Sequence, residues 1–311
     1  MIEEKSLKPE QGPILLPGEE VAAGYEVVAH LRRGKRLDVY DVWSLDRACR
    51  CIAKTITPDR IDEARARRKL AAESELLLAL THPNIVRAYE MIHSSAGVPV
   101  LILETLTGRT LSHLIDEFTE GMDLSDVEWL GLHLCSAVTY LHRHGCLHLD
   151  IKPDNIICEA GRAKLIDLSI SGQEGPASAG AGTYDYLAPE QARGEHVGPA
   201  TDVWGIGITL YEAVTGTVPF EPDEDGDDGE DGDEESLSDN TDASGDFDPD
   251  SYPQATERAP LVITRRKDVP APLTEVVDAC LEPDPAHRPT VGELAEKLAR
   301  AGGVDPRETG G

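Results

Sequence analysis

The stretch HLDIKPDN at 148–155 brings together three side chains that could carry out group transfer. Asp150 could accept a proton from a hydroxyl group, and Lys152 could hold a transferring phosphoryl group. Asn155 offers an amide oxygen to a divalent cation. Magnesium prefers oxygen ligands and usually binds through one or two protein groups together with phosphate oxygens. These residues predict a metal-assisted phosphoryl-transfer site.

The segments around this stretch predict the elements that position it. Ser125 and Glu128 form a capping-box pattern, and the apolar residues after them recur on one helical face, which predicts a buried helix ending near His142. Two apolar runs, 156–158 and 163–166, then predict a short hairpin. Further on, residues 200–215 predict a buried helix, and a capping box at 290–293 predicts a final helix.

The first hundred residues have a different pattern, with short runs of β-forming residues separated by polar turns. Five strands are predicted, at 25–31, 39–43, 50–56, 85–92 and 98–103. Residues 60–80 contain neither Pro nor Gly and predict one helix. The order favours an α+β fold in which a small antiparallel β-sheet lobe precedes a larger helical lobe.

Composition narrows the class of protein. The 311 residues are 40% hydrophobic, enough for a sizeable core, and the net charge of −29 argues against a nucleic-acid-binding surface. Six scattered cysteines without a C-x-x-C pair indicate reduced thiols. The sequence shows neither an apolar run of membrane-spanning length nor a basic-then-apolar leader. A cytoplasmic protein without a membrane or nucleic-acid partner is expected.

Acidic residues concentrate at 221–258, which holds seventeen Asp or Glu and one Arg. This composition predicts a disordered insertion, either simply solvated or acting as an arm that attracts basic partners. Flexible tails are predicted at 1–20 and 302–311. Surplus acid elsewhere would also suit a salt-rich cytoplasm, such as that of a halophilic prokaryote.

The pattern D-x-K-P-x-N at 150–155 resembles the catalytic loop of eukaryotic-type (Hanks-type) Ser/Thr protein kinases. The resemblance implies that Asp150 and Lys152 are catalytic and that Asn155 binds the metal. Asp167, which begins the triplet DLS where the family has DFG, would be the second metal ligand. Leu168 could fill the apolar slot of the family's Phe, whereas a side chain at 169 restricts the backbone more than Gly does.

The resemblance also implies an ATP site. Lys54, in CIAK, matches the strand lysine of V-A-I-K, with Glu73 as its partner and Glu75 as the competing choice. The Gly-rich loop matches LRRGKRLDV at 31–39, where only Gly34 is kept, although the basic residues beside it could compensate by charge. The remaining residues expected at ATP are Leu31, Val39, Ala53, Glu104 and Leu106.

The segment GTYDYLAPE at 182–190 closely resembles the end of the kinase activation loop, which related small-molecule phosphotransferases lack. In the family its Thr, here Thr183, bonds toward the catalytic residues, and its Glu, here Glu190, pairs with a distant Arg, here Arg288. Asp202 matches the residue that braces the catalytic loop.

The resemblance covers residues 22–301, with an N-lobe at 22–103 and a C-lobe at 107–301. It implies transfer of the ATP γ-phosphoryl group to Ser/Thr hydroxyls of proteins, with Mg²⁺ or Mn²⁺. The alternative is a pseudokinase that acts as a nucleotide-binding scaffold. It is suggested by the Gly-rich loop, which keeps only one glycine, and by the DLS triplet. Leu149 replaces the family's Arg, which would meet a phosphate on the activation loop, so phosphorylation at Ser178 or Thr183 is not expected to switch on activity.

Overall fold

The computed structural model describes residues 12–118, 120–220 and 252–303, which form two compact units. The first unit contains the residues up to His82 and Val86–Thr107, and the second contains Pro83–Ile85 and the residues from Gly108 onward. Strands dominate the first unit and helices the second, which confirms the α+β class. Within the described ranges, no helix has the length and apolar content needed to cross a membrane.

The first unit consists of a six-stranded antiparallel sheet in the order β1-β2-β3-β4-β6-β5 and one helix. Its elements are β1 (Glu20–Ala22), β2 (Tyr25–Arg33), β3 (Leu37–Ser44), β4 (Cys49–Ile56), α1 (Ala64–Ala79), β5 (Ala88–His93) and β6 (Pro99–Glu104). The five predicted strands and the helix are confirmed. The additional strand, β1, has only three residues, too few to show an alternating pattern.

The residues before β1 lie against this sheet. The Leu15 N–H donates to the Tyr40 hydroxyl (3.2 Å), Arg33 donates to the Gly12 carbonyl (2.6 Å), and the Leu15 side chain packs on the sheet core. The predicted flexible tail is therefore wrong for 12–20, because Leu15 covers apolar surface of the sheet. Residues 1–11 lie outside the described residues.

The second unit is mainly helical. Its elements are β7 (Arg109–Thr110), α2 (Leu111–Glu117), α3 (Leu124–Arg143), β8 (Ile156–Glu159), β9 (Arg162–Leu165), β10 (Gly175–Pro176), α4 (Pro189–Arg193), β11 (His196–Val197), α5 (Pro199–Thr215), α6 (Pro253–Thr256), α7 (Val262–Arg265), α8 (Ala271–Cys280) and α9 (Val291–Ala301). The predicted hairpin is formed by β8 and β9, and the predicted buried helix at 200–215 is α5.

The helix caps agree only in part with the sequence patterns. The capping box of Thr290 and Glu293 at the start of α9 is confirmed. At α3 the capping-box prediction is wrong, because Asp123 is the N-cap and its carboxylate accepts the Ser125 N–H (2.9 Å). The predicted apolar face of α3 is nevertheless buried.

Residues 221–251 of the predicted acidic insertion at 221–258 lie outside the described residues. Its last seven residues contradict the prediction of disorder, because Tyr252 and Gln254 are buried and α6 is a short helix. The ring of Tyr252 lies 5.0 Å from the ring of Tyr184, and Gln254 donates to the Tyr184 carbonyl. The predicted tail at 302–311 lies outside the described residues from 304 onward.

Candidate active site

Asp202, at the start of α5, fixes the backbone of the 148–155 stretch. Its carboxylate accepts the N–H groups of His148 (2.9 Å) and Leu149 (2.8 Å), and its Oδ2 lies 2.8 Å from Nε2 of His142. Leu149 has a φ of 68°, a left-handed conformation that costs a non-glycine residue roughly 1–2 kcal/mol. The buried carboxylate therefore stabilises a strained turn directly before Asp150.

Three predicted residues surround the Asp150 carboxylate. Thr183 Oγ1 donates to Oδ1 (2.8 Å), and Asn155 Nδ2 donates to Oδ2 (2.9 Å). Lys152 Nζ donates to Thr183 Oγ1 (2.6 Å) and lies 3.8 Å from Asp150 Oδ2. With one donor on each oxygen, the carboxylate is held in a defined orientation beside a cation.

Two oxygen-bearing side chains of the same unit suit a divalent cation. Both described hydrogen bonds of the Asn155 side chain are donated by Nδ2. Neither uses the amide oxygen Oδ1, which a cation would bind. Asp167 follows β9, and its Oδ1 accepts the Ser169 N–H (2.8 Å). Leu168, which lies between Asp167 and Ser169 in the sequence, is buried, as expected for a residue in an apolar slot. An all-oxygen donor pair fits Mg²⁺ or Mn²⁺ better than softer metals.

Two buried residues of this site were not assigned a role from the sequence. The Asp150 N–H donates to Nδ1 of His148 (3.3 Å), and burial lowers the pKa of His148, so the ring is neutral with its proton on Nε2. Gln191 Nε2 donates to the carbonyls of Leu149 (2.9 Å) and Ala181 (3.0 Å). Gln191 thus joins the catalytic loop to the activation segment. Its place one residue after the APE triplet was the only available signal.

The predicted pair of Glu190 and Arg288 is present. Arg288 binds both carboxylate oxygens at 2.7 and 2.9 Å, and both side chains are almost completely buried. Thr201 donates to the same carboxylate (2.8 Å), and the Arg288 guanidinium lies 5.0 Å from the centre of a Trp204 ring. The end of the activation segment is thereby fixed to α5 and to the loop before α9.

The first unit contains the predicted lysine–glutamate pair. Lys54 Nζ donates to both oxygens of Glu73, at 2.8 and 3.0 Å. Glu73 lies on the buried face of α1, between Leu70 and Leu77, whereas Glu75 is exposed. The helical period therefore selects Glu73 over Glu75.

The strand register corrects the prediction for Ala53. Side chains alternate along a strand, and β4 pairs Lys54 with Val39 but Ala53 with Tyr40. Ala53 is fully buried in the same sheet core as Tyr40, on the face opposite to Lys54. Ile52 shares the face of Lys54 and Val39, and it replaces Ala53 as the candidate adenine contact.

The Gly-rich loop is a tight turn between β2 and β3. Leu31 is 53% exposed, and the Gly34 N–H donates to the Leu37 carbonyl (2.8 Å). This bond occupies a backbone donor that the family pattern would offer to phosphate. Arg32 and Lys35 are exposed.

Two of the four loop cations instead bind carboxylates of their own unit. Arg33 makes two bonds of 2.8 Å to the buried Asp38, and Arg36 makes one of 2.8 Å to Glu63. Burial alone would raise the pKa of Asp38, but hydrogen bonds from Arg33 and His30 outweigh burial and hold this pKa below its usual value. The expected compensation by charge is therefore reduced to Arg32 and Lys35.

The last two residues predicted at ATP, Glu104 and Leu106, lie at and just after the end of β6. Glu104 ends β6, and its N–H donates to the Arg87 carbonyl (2.9 Å). Leu106 is half-buried two residues later. Their predicted contact with adenine stays a prediction.

A sheet unit with a lysine–glutamate pair, and a helical unit with a hydrogen-bonded Asp-Lys-Thr-Asn cluster, define a phosphotransferase of the protein kinase type. The family model for the protein kinase domain matches residues 25–298. The chain belongs to the protein kinase family, and its bacterial relatives are of the Hanks Ser/Thr type. Members of this family use ATP with a divalent metal ion and act on protein substrates.

Individual relatives agree with this assignment. Human myosin light chain kinase 3 is 29% identical over 253 residues, which cover 79% of this chain and 29% of that protein. The probable serine/threonine-protein kinase PknB of Bifidobacterium longum is 34% identical over 57% of this chain and 27% of its own length. The chain thus spans less than a third of either relative.

A solved structure supports the fold. The crystal structure of the Mycobacterium tuberculosis PknI kinase domain matches with a TM-score of 0.68 and 22% identity, covering 93% of this chain and 100% of that one. The predicted kinase-like fold is confirmed.

Proposed function

We propose that this protein transfers the γ-phosphoryl group of ATP to Ser or Thr hydroxyls of other proteins. The observation that carries the proposal is the Asp150 carboxylate, which Thr183 and Asn155 orient from opposite oxygens while Lys152 lies 3.8 Å away. Asp150 would accept the proton of the substrate hydroxyl as its oxygen bonds to phosphorus and ADP leaves. Lys152 would stabilise charge on the transferring group.

The remaining roles follow from the family and from the geometry within each unit. Lys54, oriented by Glu73, would contact ATP phosphates. Val39 of β3 and Ile52 of β4 lie on the same face of the sheet as Lys54. Asn155 and Asp167 would hold Mg²⁺ or Mn²⁺, which would neutralise phosphate charge. The cytoplasmic location and the basic partners of the acidic insertion stay predictions.

The test compares wild type with Asp150→Asn for transfer of labelled γ-phosphate to itself and to a generic basic protein. A general base contributes roughly 10²–10⁴-fold, so the variant should lose at least about 100-fold in rate. An unchanged unfolding midpoint would show that the loss is catalytic. Equal labelling by both proteins would contradict the role of Asp150.

A nucleotide-binding pseudokinase is the second candidate, because Gly34, Arg33 and Arg36 are occupied by contacts within the sheet unit. This function requires no label transfer by the folded wild type but a rise of the unfolding midpoint with ATP and Mg²⁺. Lys54→Met should remove that rise, and label transfer by wild type would exclude the pseudokinase.

A further inference from the structure

A cleft of about 630 Å³ in the helical unit lies outside the catalytic cluster. It is formed by the C-terminal end of α3, the start of α5 and the loop that leads into α9. Its walls include Arg143, Pro199, Val203, Pro285, Pro289 and Gly292. Its volume falls within the roughly 300–1,000 Å³ typical of small-molecule sites.

Apolar residues make up most of the cleft wall. Three of the lining residues are prolines, whose rings fix the backbone φ angle. Val203 belongs to the buried helix α5. A ligand would therefore enter a preformed site, and little binding energy would be lost in ordering its walls.

The titratable side chains that line the cleft are all basic. Arg143 is exposed in the last turn of α3, and His142 and Arg288 line the inner wall. Arg288 is neutralised by Glu190, and His142 bonds Asp202, so Arg143 supplies the net charge. Among the residues that line this cleft in the described part of the chain, none is Asp or Glu. A guanidinium that no lining carboxylate neutralises favours an anionic ligand at this site.

We propose that this cleft binds a small organic carboxylate, with its apolar body among the prolines and its carboxylate on Arg143. An Arg guanidinium binds a carboxylate by two parallel hydrogen bonds, which favours a carboxylate over a neutral group of the same shape. The site is separate from the residues assigned to ATP and to the metal.

The inner wall of the cleft is connected to the catalytic loop through one residue. His142 is one hydrogen bond (2.8 Å) from Asp202, which accepts the N–H groups of His148 and Leu149. The cleft wall and the catalytic loop therefore share Asp202 as a hydrogen-bond partner.

The test measures binding of octanoate, with octanamide as a neutral probe of the same shape, by calorimetry and thermal unfolding of the full chain. Wild type should bind octanoate saturably and at least about tenfold more tightly than octanamide. Arg143→Gln should remove this difference without weakening octanamide binding. Gly292 lines the cleft, so the added side chain in Gly292→Leu should take up part of its volume and weaken binding of both probes. A Cβ at 292 has no heavy atom within 4 Å, so this variant should fold.

Three results would overturn the proposal: no saturable binding, equal affinity for octanoate and octanamide, or unchanged octanoate binding by folded Gly292→Leu. The binding arm does not depend on catalysis. An inactive wild type that binds octanoate as expected would contradict the proposed kinase function and leave the ligand site standing.

Discussion

At the scale of single residues, hydrogen bonds donated by the uncharged side chains of Thr183 and Gln191 connect the activation segment to the catalytic loop. Thr183 bonds Asp150, and Gln191 bonds the carbonyls of Leu149 and Ala181. Leu149 carries no guanidinium that could bind a phosphate on the activation segment. Thr183 and Asn155 orient Asp150 by direct hydrogen bonds, and the expectation that phosphorylation is not the switch stays a prediction.

Gln191→Leu should lower kcat by about tenfold, because two part-buried carbonyls lose their donor and one of them belongs to the strained Leu149. The measurement is steady-state transfer to a basic protein by each enzyme before and after phosphatase treatment. Ser178→Ala is the matched control, because Ser178 is exposed on the same segment, and its kcat should equal that of wild type. A comparable loss in Ser178→Ala would favour activation by phosphorylation instead.

At the scale of elements, α5 is the scaffold of the helical unit. Its first turn supplies Asp202 to the catalytic loop and Thr201 to Glu190. Gly205 allows the loop to approach, since a Cβ at 205 would lie 3.0 Å from the Cβ of Ile151. The Glu190–Arg288 pair then fixes the activation segment to the same framework, so its loss should affect stability rather than chemistry alone.

Arg288→Leu should lower the free energy of unfolding by about 3–5 kcal/mol, because it leaves the Glu190 carboxylate buried without its cation. Urea unfolding followed by circular dichroism measures the change. Arg300→Ala is the control: its ion pair with Glu296 is exposed, and its loss should cost less than about 1 kcal/mol. Similar losses in the two variants would contradict a structural role for the buried pair.

At the scale of the whole molecule, negative charge dominates. The net charge is −29, and residues 221–251 contain acidic residues but no Lys or Arg. Repulsion between like charges opposes the compact state and is screened by salt. Stability should therefore depend on ionic strength more strongly than in a protein of balanced charge.

Raising KCl from about 0.05 to about 1 M should increase the free energy of unfolding by at least about 1 kcal/mol, or roughly 2–4 °C in Tm. Thermal unfolding at several salt concentrations measures this dependence. A variant with Asn and Gln in place of every Asp and Glu in 221–251 keeps the length and should show a smaller rise. A wild-type Tm that is constant or falls with salt would contradict self-repulsion and the prediction of a halophilic source.

The sequence by itself determined the features that depend on neighbouring residues. The order Asp150, Lys152, Asn155 and Asp167 identified the site, and the family's spacing favoured Glu73 over Glu75, a choice that the buried face of α1 then supported. Alternation within β4 already separates Ala53 from Lys54, so Ile52 could have been found from the sequence. These features can be read locally because the side-chain pattern of a helix or strand repeats every few residues.

Only the tertiary structure decided which distant groups meet. The ion pair of Arg36 with Glu63, the two carbonyl bonds of Gln191 and the packing of Leu15 on the sheet join segments that no short period connects. The cleft at Arg143 likewise arises where α3, α5 and the loop before α9 converge. Such contacts depend on how whole elements pack. The sequence around a polar side chain does not indicate which distant group will be its hydrogen-bond partner.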